Sequence, residues 1–184
     1  MANRSYLYST DRIPGSGEGI QVVGITEWNY EIPILHKLLL SGGTQPCKSL
    51  IWDDPEVFAL AGDYQEGVRR LRCFLLAIKA PHAQSLVAEA LEFLDSENNR
   101  KKFFFLECAE IFDLEDEPFA DQLAGLLEEI RNIDGESERV LSALNSLPTG
   151  PDQAEDLAPF YAMGLGNWSN CLYFDIGDRD DDSD

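Results

Sequence analysis

The chain has 184 residues, with 14 Lys and Arg against 34 Asp and Glu, a formal charge of −20 and a pI of about 4.2. That balance excludes recognition of nucleic acid through its phosphates, which needs a surplus of Lys and Arg, and it disfavours an anionic membrane surface. Hydrophobic residues make up 44% of the chain, too many for a disordered polymer, and the length fits one domain.

In chain order, Ser5-Tyr6-Leu7-Tyr8-Ser9 predicts an aromatic-rich strand. Ile13-Pro14-Gly15-Ser16-Gly17-Glu18-Gly19 follows as a loop, and residues 20–25 as a second strand. A helix begins near Ile32. Pro33 suits its first turn, where an N–H would lack a partner anyway, and Ile34, Leu35, Leu38 and Leu39 form its buried stripe. Ser41-Gly42-Gly43 ends it.

Leu50-Ile51-Trp52 and Val57-Phe58-Ala59-Leu60 are short extended or irregular pieces. Asp63 and Glu66 have capping-box spacing ahead of a helix reaching about Lys79, with Val68, Leu71, Leu75 and Ile78 inward. After Pro81 a further helix carries Leu86, Val87, Ala90, Leu91 and Leu94. Phe103-Phe104-Phe105-Leu106 reads as a strand buried on both faces, although periodicity alone also allows helix over so short a run.

A long helix is expected over residues 118–133, broken at Asp134-Gly135, and another over 136–147. Residues 148–159 form a turn-rich linker, and residues 168–176, centred on Leu172-Tyr173-Phe174, a last strand. The expected fold is α+β: about five helices on a small, mostly antiparallel sheet that includes N- and C-terminal strands, one domain over residues 1–177, and an acidic tail at 178–184.

The charge is uneven. Residues 1–100 hold 9 basic and 13 acidic side chains, and residues 101–184 hold 5 and 21. Equipment for bond-making is sparse. The glycines at 15, 17 and 19 precede a strand rather than a helix and lack the Lys of a phosphate loop. Only two histidines occur. His36 lies among core leucines, and neither belongs to a recognisable nucleophile motif. Cys47, Cys73, Cys108 and Cys171 have neither zinc-site nor disulfide-framework spacing and read as buried free thiols that act as small hydrophobes. The tail's Asp178-Arg179-Asp180-Asp181-Asp182-Ser183 lacks the glycine of a calcium loop. No metal and no cofactor is expected.

Two features point to a partner. Trp28 and Tyr30 precede a helix and are candidate aromatic anchors. Glu107, Glu110, Asp113, Glu115, Asp116, Glu117 and Asp121 form an acidic belt able to steer a basic protein.

The opening Met1-Ala2-Asn3-Arg4-Ser5-Tyr6-Leu7-Tyr8, the segment Glu27-Trp28-Asn29-Tyr30-Glu31-Ile32-Pro33 and the string Leu106-Glu107-Cys108-Ala109-Glu110-Ile111-Phe112 resemble a group of uncharacterised bacterial proteins of similar length. That resemblance implies a bacterial source and one compact unit, with no catalytic residue to carry over. In size and acidity the chain is also similar to immunity proteins that block basic toxins. The expectation is therefore a non-enzymatic, cytoplasmic, protein-binding protein with a basic partner and with neither nucleic acid nor membrane as a target. The alternatives are a small-ligand binder or hydrolase using a carboxylate-lined cleft, and a structural subunit or homodimer.

Overall fold

Strand β1 (Arg4–Thr10) lies near the middle of a five-stranded sheet of order β2-β1-β5-β4-β3. Its neighbours are β2 (Val22–Asn29) and β5 (Phe103–Glu107), and β4 (Phe58–Asp63) and β3 (Gln45–Lys48) complete the sheet. Every pairing is antiparallel. The computed structural model describes residues 3–16, 19–147 and 157–176. The tail expected at 178–184 and most of the expected linker lie outside them.

The helices are α1 (Ile34–Leu40), α2 (Tyr64–Leu76), α3 (Gln84–Asp95), preceded by the 3-10 turn Pro81–Ala83, α4 (Ala109–Phe112), α5 (Phe119–Arg131), α6 (Ile133–Asn145) and α7 (Ala158–Ala162). The fold class is α+β, as the sequence predicts.

Strand alternation divides the core in two. Leu7, Ile25, Leu60, Phe104 and Leu106 point to the helices and join the larger cluster. Tyr6, Tyr8, Ala59, Ala61 and Phe105 point the other way and meet Leu172, Phe174 and Ile176 from the C-terminal segment. The Tyr8 hydroxyl donates to the Phe174 carbonyl at 2.8 Å, satisfying its polar end. Gly24 admits this segment, because a Cβ there would stand 2.6 Å from the Asn170 carbonyl.

Segment 168–176 therefore covers the sheet instead of extending it. Its ladder consists of one antiparallel bridge, Thr26 to Trp168, backed by the Ser169 amide donating to Ile25 at 3.0 Å. The expected continuous strand is thus corrected to a single bridge, and Leu172 and Phe174 pack on the sheet face that Tyr6 and Tyr8 present.

Other boundaries also shift. The sequence reading has no element at β3, a four-residue strand whose Pro46 is tolerated because β3 is an edge. Helix α2 ends at Leu76, three residues short of Lys79. Its N-terminus is as expected, with the Asp63 carboxylate accepting from the Glu66 amide at 2.8 Å. The break after α5 falls at Asn132 rather than at Asp134-Gly135, and Asp134 and Glu136 occupy the first turn of α6, where the positive end of the helix dipole favours them.

Gly67 sets the approach of α1 to α2. A methyl group there would collide with the Leu39 carbonyl of α1. Lys37 of α1 reaches Glu129 of α5 at 2.8 Å and Glu136 of α6 at 3.5 Å, tying α1 to both. No helix among the described residues is long and apolar enough to cross a membrane.

Candidate functional site

The two aromatic candidates differ in availability. Trp28 is half-buried, and its indole N–H donates to Glu31 Oε1 at 3.0 Å. Tyr30 is 62% exposed and holds φ of +66°, the left-handed region that side chains other than glycine rarely occupy. Its amide donates to the Asn3 carbonyl at 2.8 Å, which fixes that turn between β2 and α1. At the start of α1, the Leu35 amide is taken by the Met163 carbonyl at 3.2 Å.

The acidic belt divides more sharply. Glu107 is 1% exposed, so the expectation that it presents charge at the surface is corrected. It ends the central strand β5, and its carboxylate accepts from the Leu50 amide at 2.6 Å, the Ser49 hydroxyl at 2.9 Å and the Ile51 amide at 3.3 Å. Burial raises its pKa above the usual carboxylate range, and these hydrogen bonds pull it back. Burial, and then the nearby Glu107, push the Cys47 thiol up to about 12.

Glu110 is half-buried and also structural. It accepts from the Arg4 amide at 2.9 Å and the Tyr6 hydroxyl at 3.2 Å, joining α4 to the start of β1. Burial, with Glu110 second, raises the Tyr6 phenol above its ordinary range.

Asp113, Glu115, Asp116, Glu117 and Asp121 are exposed. Three of them, Glu115, Glu117 and Asp121, line an open groove of about 390 Å3 together with Tyr30. The sequence reading treats the aromatic and acidic features separately, and the fold brings them to one place. Trp28, Asp113 and Asp116 lie outside that lining.

The groove has an apolar floor of Ile32, Ile111, Phe112 and Leu126, with Leu114 at 47% exposure beside it. Its rim adds Glu31 and Glu129, for five carboxylates, against the single cation Lys37, which is paired with Glu129 and Glu136. Carboxylates grouped over a low-dielectric floor concentrate a negative potential. Gln122 of α5 stiffens the acidic turn by donating its side-chain amide to the carbonyls of Phe112, at 3.0 Å, and Glu117, at 2.7 Å. Phe112 and Phe119 meet edge to face at 5.0 Å beneath it.

Glu31, Ile32, Lys37, Ile111, Leu114 and Glu129 are groove residues that sequence reasoning misses. A legible signal exists for one of them: Leu114 is a large apolar residue inside the acidic run Asp113-Leu114-Glu115-Asp116-Glu117.

The histidines are placed as packing groups. His36 is fully buried, 3.4 Å from the Ser5 hydroxyl, and burial lowers its pKa to about 3. His82 packs edge to face on Phe160 at 5.5 Å. Cys47 and Cys108 are buried free thiols as expected, and the expectation is corrected for Cys73 and Cys171, which are free but exposed. Among the described residues, no three His, Cys, Asp or Glu side chains cluster so as to hold a metal ion.

Residues 11–147 match the family model described as "Domain of unknown function (DUF7822)". No curated protein matches the chain, and no solved structure does.

Proposed function

The chain belongs to the DUF7822 family, and on that premise we propose that it is a non-enzymatic protein-binding protein whose partner docks a basic, amphipathic segment in the Tyr30–Asp121 groove. The observation carrying this reading is the convergence of an exposed aromatic ring, an apolar floor and five carboxylates on one groove. A basic segment with one apolar face matches both parts. Its aliphatic or aromatic side chains cover Ile32, Ile111, Leu114 and Leu126, and its Lys or Arg residues meet Glu115, Glu117 and Asp121.

The groove is anchor-sized. A stable interface buries about 1,600 Å2 in total, so the groove supplies the central contact, and the exposed Asp113 and Asp116 act at longer range. Charge of this kind contributes chiefly to encounter rate and to rejection of acidic partners, while the aromatic anchor contributes to residence time. The net charge of −20 is of the right sign for a basic partner. Within this reading the chain acts in the bacterial cytoplasm, as an inhibitor or immunity factor for a basic protein.

The test is capture from lysate of the source cell with the wild type and with two variants, Tyr30→Ala and the triple reversal Glu115→Lys, Glu117→Lys, Asp121→Lys. The expected result is one basic protein retained at low salt, released at high salt and lost with both variants. Retention that ignores salt and both variants overturns the proposal.

A further inference from the structure

A cleft of about 250 Å3 between α2 and the end of α3 has the opposite character to the groove and shares no lining residue with it. Tyr64, Val68 and Leu94, at 2%, 9% and 1% exposure, close its floor as part of the core, and Arg69, Arg72 and Arg100 stand around it. The α2 residues recur at positions 64, 68 and 72, which places them along one helix face. Three of the chain's 14 basic residues thus share one cleft of a molecule with 34 acidic ones.

Asp95 is the single carboxylate in the lining. It takes Arg72 Nη2 at 2.7 and 2.8 Å, and Arg100 stands 3.9 Å from it. Arg69 forks onto Glu66, which lies outside the cleft, at 2.6 and 2.7 Å. Each guanidinium carries five N–H donors, so two carboxylates leave donors on all three for another acceptor.

The backbone that carries Arg100 is fixed. Arg100 follows Asn99, which is 2% exposed and held from three sides: Ser9 Oγ donates to its carbonyl at 2.6 Å, its amide donates to Phe93 O at 2.8 Å, and Asn170 donates to its Oδ1 at 2.7 Å. The Tyr64 hydroxyl donates to Leu94 O at 2.8 Å, and its ring is stacked on Phe104 at 4.3 Å, so Tyr64, 2% exposed, is a fixed and satisfied part of the floor. We infer that this cleft binds a small organic oxyanion: a doubly charged head on the Arg72–Arg100 side and a small aromatic or aliphatic body over the packed floor of Tyr64, Val68 and Leu94, against the methylene stems of the surrounding arginines. Guanidinium forks match the oxygens of such a head.

The probe is phenyl phosphate, titrated into the full chain and followed by calorimetry and by amide chemical shifts, with inorganic phosphate and phenol as separate arms. Saturable one-to-one binding is expected, about tenfold tighter than either fragment, because head and body are engaged together. Arg100→Gln and Arg69→Gln, both at exposed side chains, are each expected to weaken it about tenfold. Arg131→Gln, an exposed arginine in α5 outside the cleft, is expected to leave it unchanged. Absence of saturation at tens of millimolar overturns the inference. So does inorganic phosphate binding as tightly as the ester, which would mark an adventitious ion only, or equal loss with Arg131→Gln, which would mark general charge.

Discussion

Glu107 and Leu50 are 57 positions apart in the chain and 2.6 Å apart in the fold, the carboxylate of the first accepting the amide of the second. This contact holds residues 49–51 against the end of a central strand at the cost of burying an acid. Glu107→Gln keeps an acceptor for Leu50 and Ile51 and removes the charge. It is expected to be neutral or stabilising at pH 7, whereas Glu107→Ala, which strands those donors, is expected to cost about 2–4 kcal/mol in denaturant unfolding.

The raised pKa gives this contrast a sign. A carboxyl whose folded pKa lies above 4.5 binds its proton more readily in the folded state. Its contribution therefore becomes more stabilising as pH falls from the raised value toward 4.5, and Glu107→Gln removes that trend.

His36 has the opposite sign. It is neutral when folded down to about pH 3, whereas the unfolded side chain takes up a proton near 6.5. Its contribution is fully present above pH 6.5 and is lost as pH falls, by about 2 kcal/mol at pH 5. His36→Leu is expected to flatten the stability profile between pH 6.5 and 4 relative to the wild type, as measured by urea midpoints. An unchanged slope would mean that His36 titrates normally in the fold.

Two glycine-to-alanine substitutions in helices are expected to differ in sign. Nothing lies within 4 Å of the position a Cβ would take at Gly125, so Gly125→Ala should gain about 0.5–1 kcal/mol from helix propensity. At Gly67 the same methyl meets the Leu39 carbonyl, and Gly67→Ala is expected to cost about 2 kcal/mol or more by forcing α1 away from α2. Thermal unfolding of the two variants reads both signs.

Tyr30 separates stability from binding. Its φ of +66° costs a side-chain-bearing residue about 1 kcal/mol. Tyr30→Gly is expected to raise the unfolding midpoint slightly while weakening partner binding by about tenfold. Loss of stability together with unchanged binding would assign the ring a packing role instead.

Elements with strong local patterns were legible in the sequence: β1 from its aromatics, α2 from its capping pair and 3.6-residue stripe, and β5 from Phe103-Phe104-Phe105-Leu106. The misreadings are non-local in origin. Leu172 and Phe174 look like strand residues, but Tyr6 and Tyr8 provide a sheet face for them to cover. Asp134-Gly135 looks like a break, but the turn at Asn132 precedes it and a helix N-terminus welcomes the acids. Glu107 and Asp121 cannot be told apart by charge pattern. What separates them is that one ends a central strand under the 49–51 loop and the other faces solvent in the first turn of α5. Tyr30 and Asp121 are each legible as candidates, but their meeting at one groove depends on the packing of α5 beside α1.

The most direct measurement is the association rate of the captured basic partner with the wild type and with the Glu115→Lys, Glu117→Lys, Asp121→Lys variant, by stopped flow across a salt series. The groove account predicts association about tenfold or more slower for the variant at low salt, with the two rates converging as screening removes the steering. Equal rates at low salt, or a difference that persists undiminished at high salt, would contradict it.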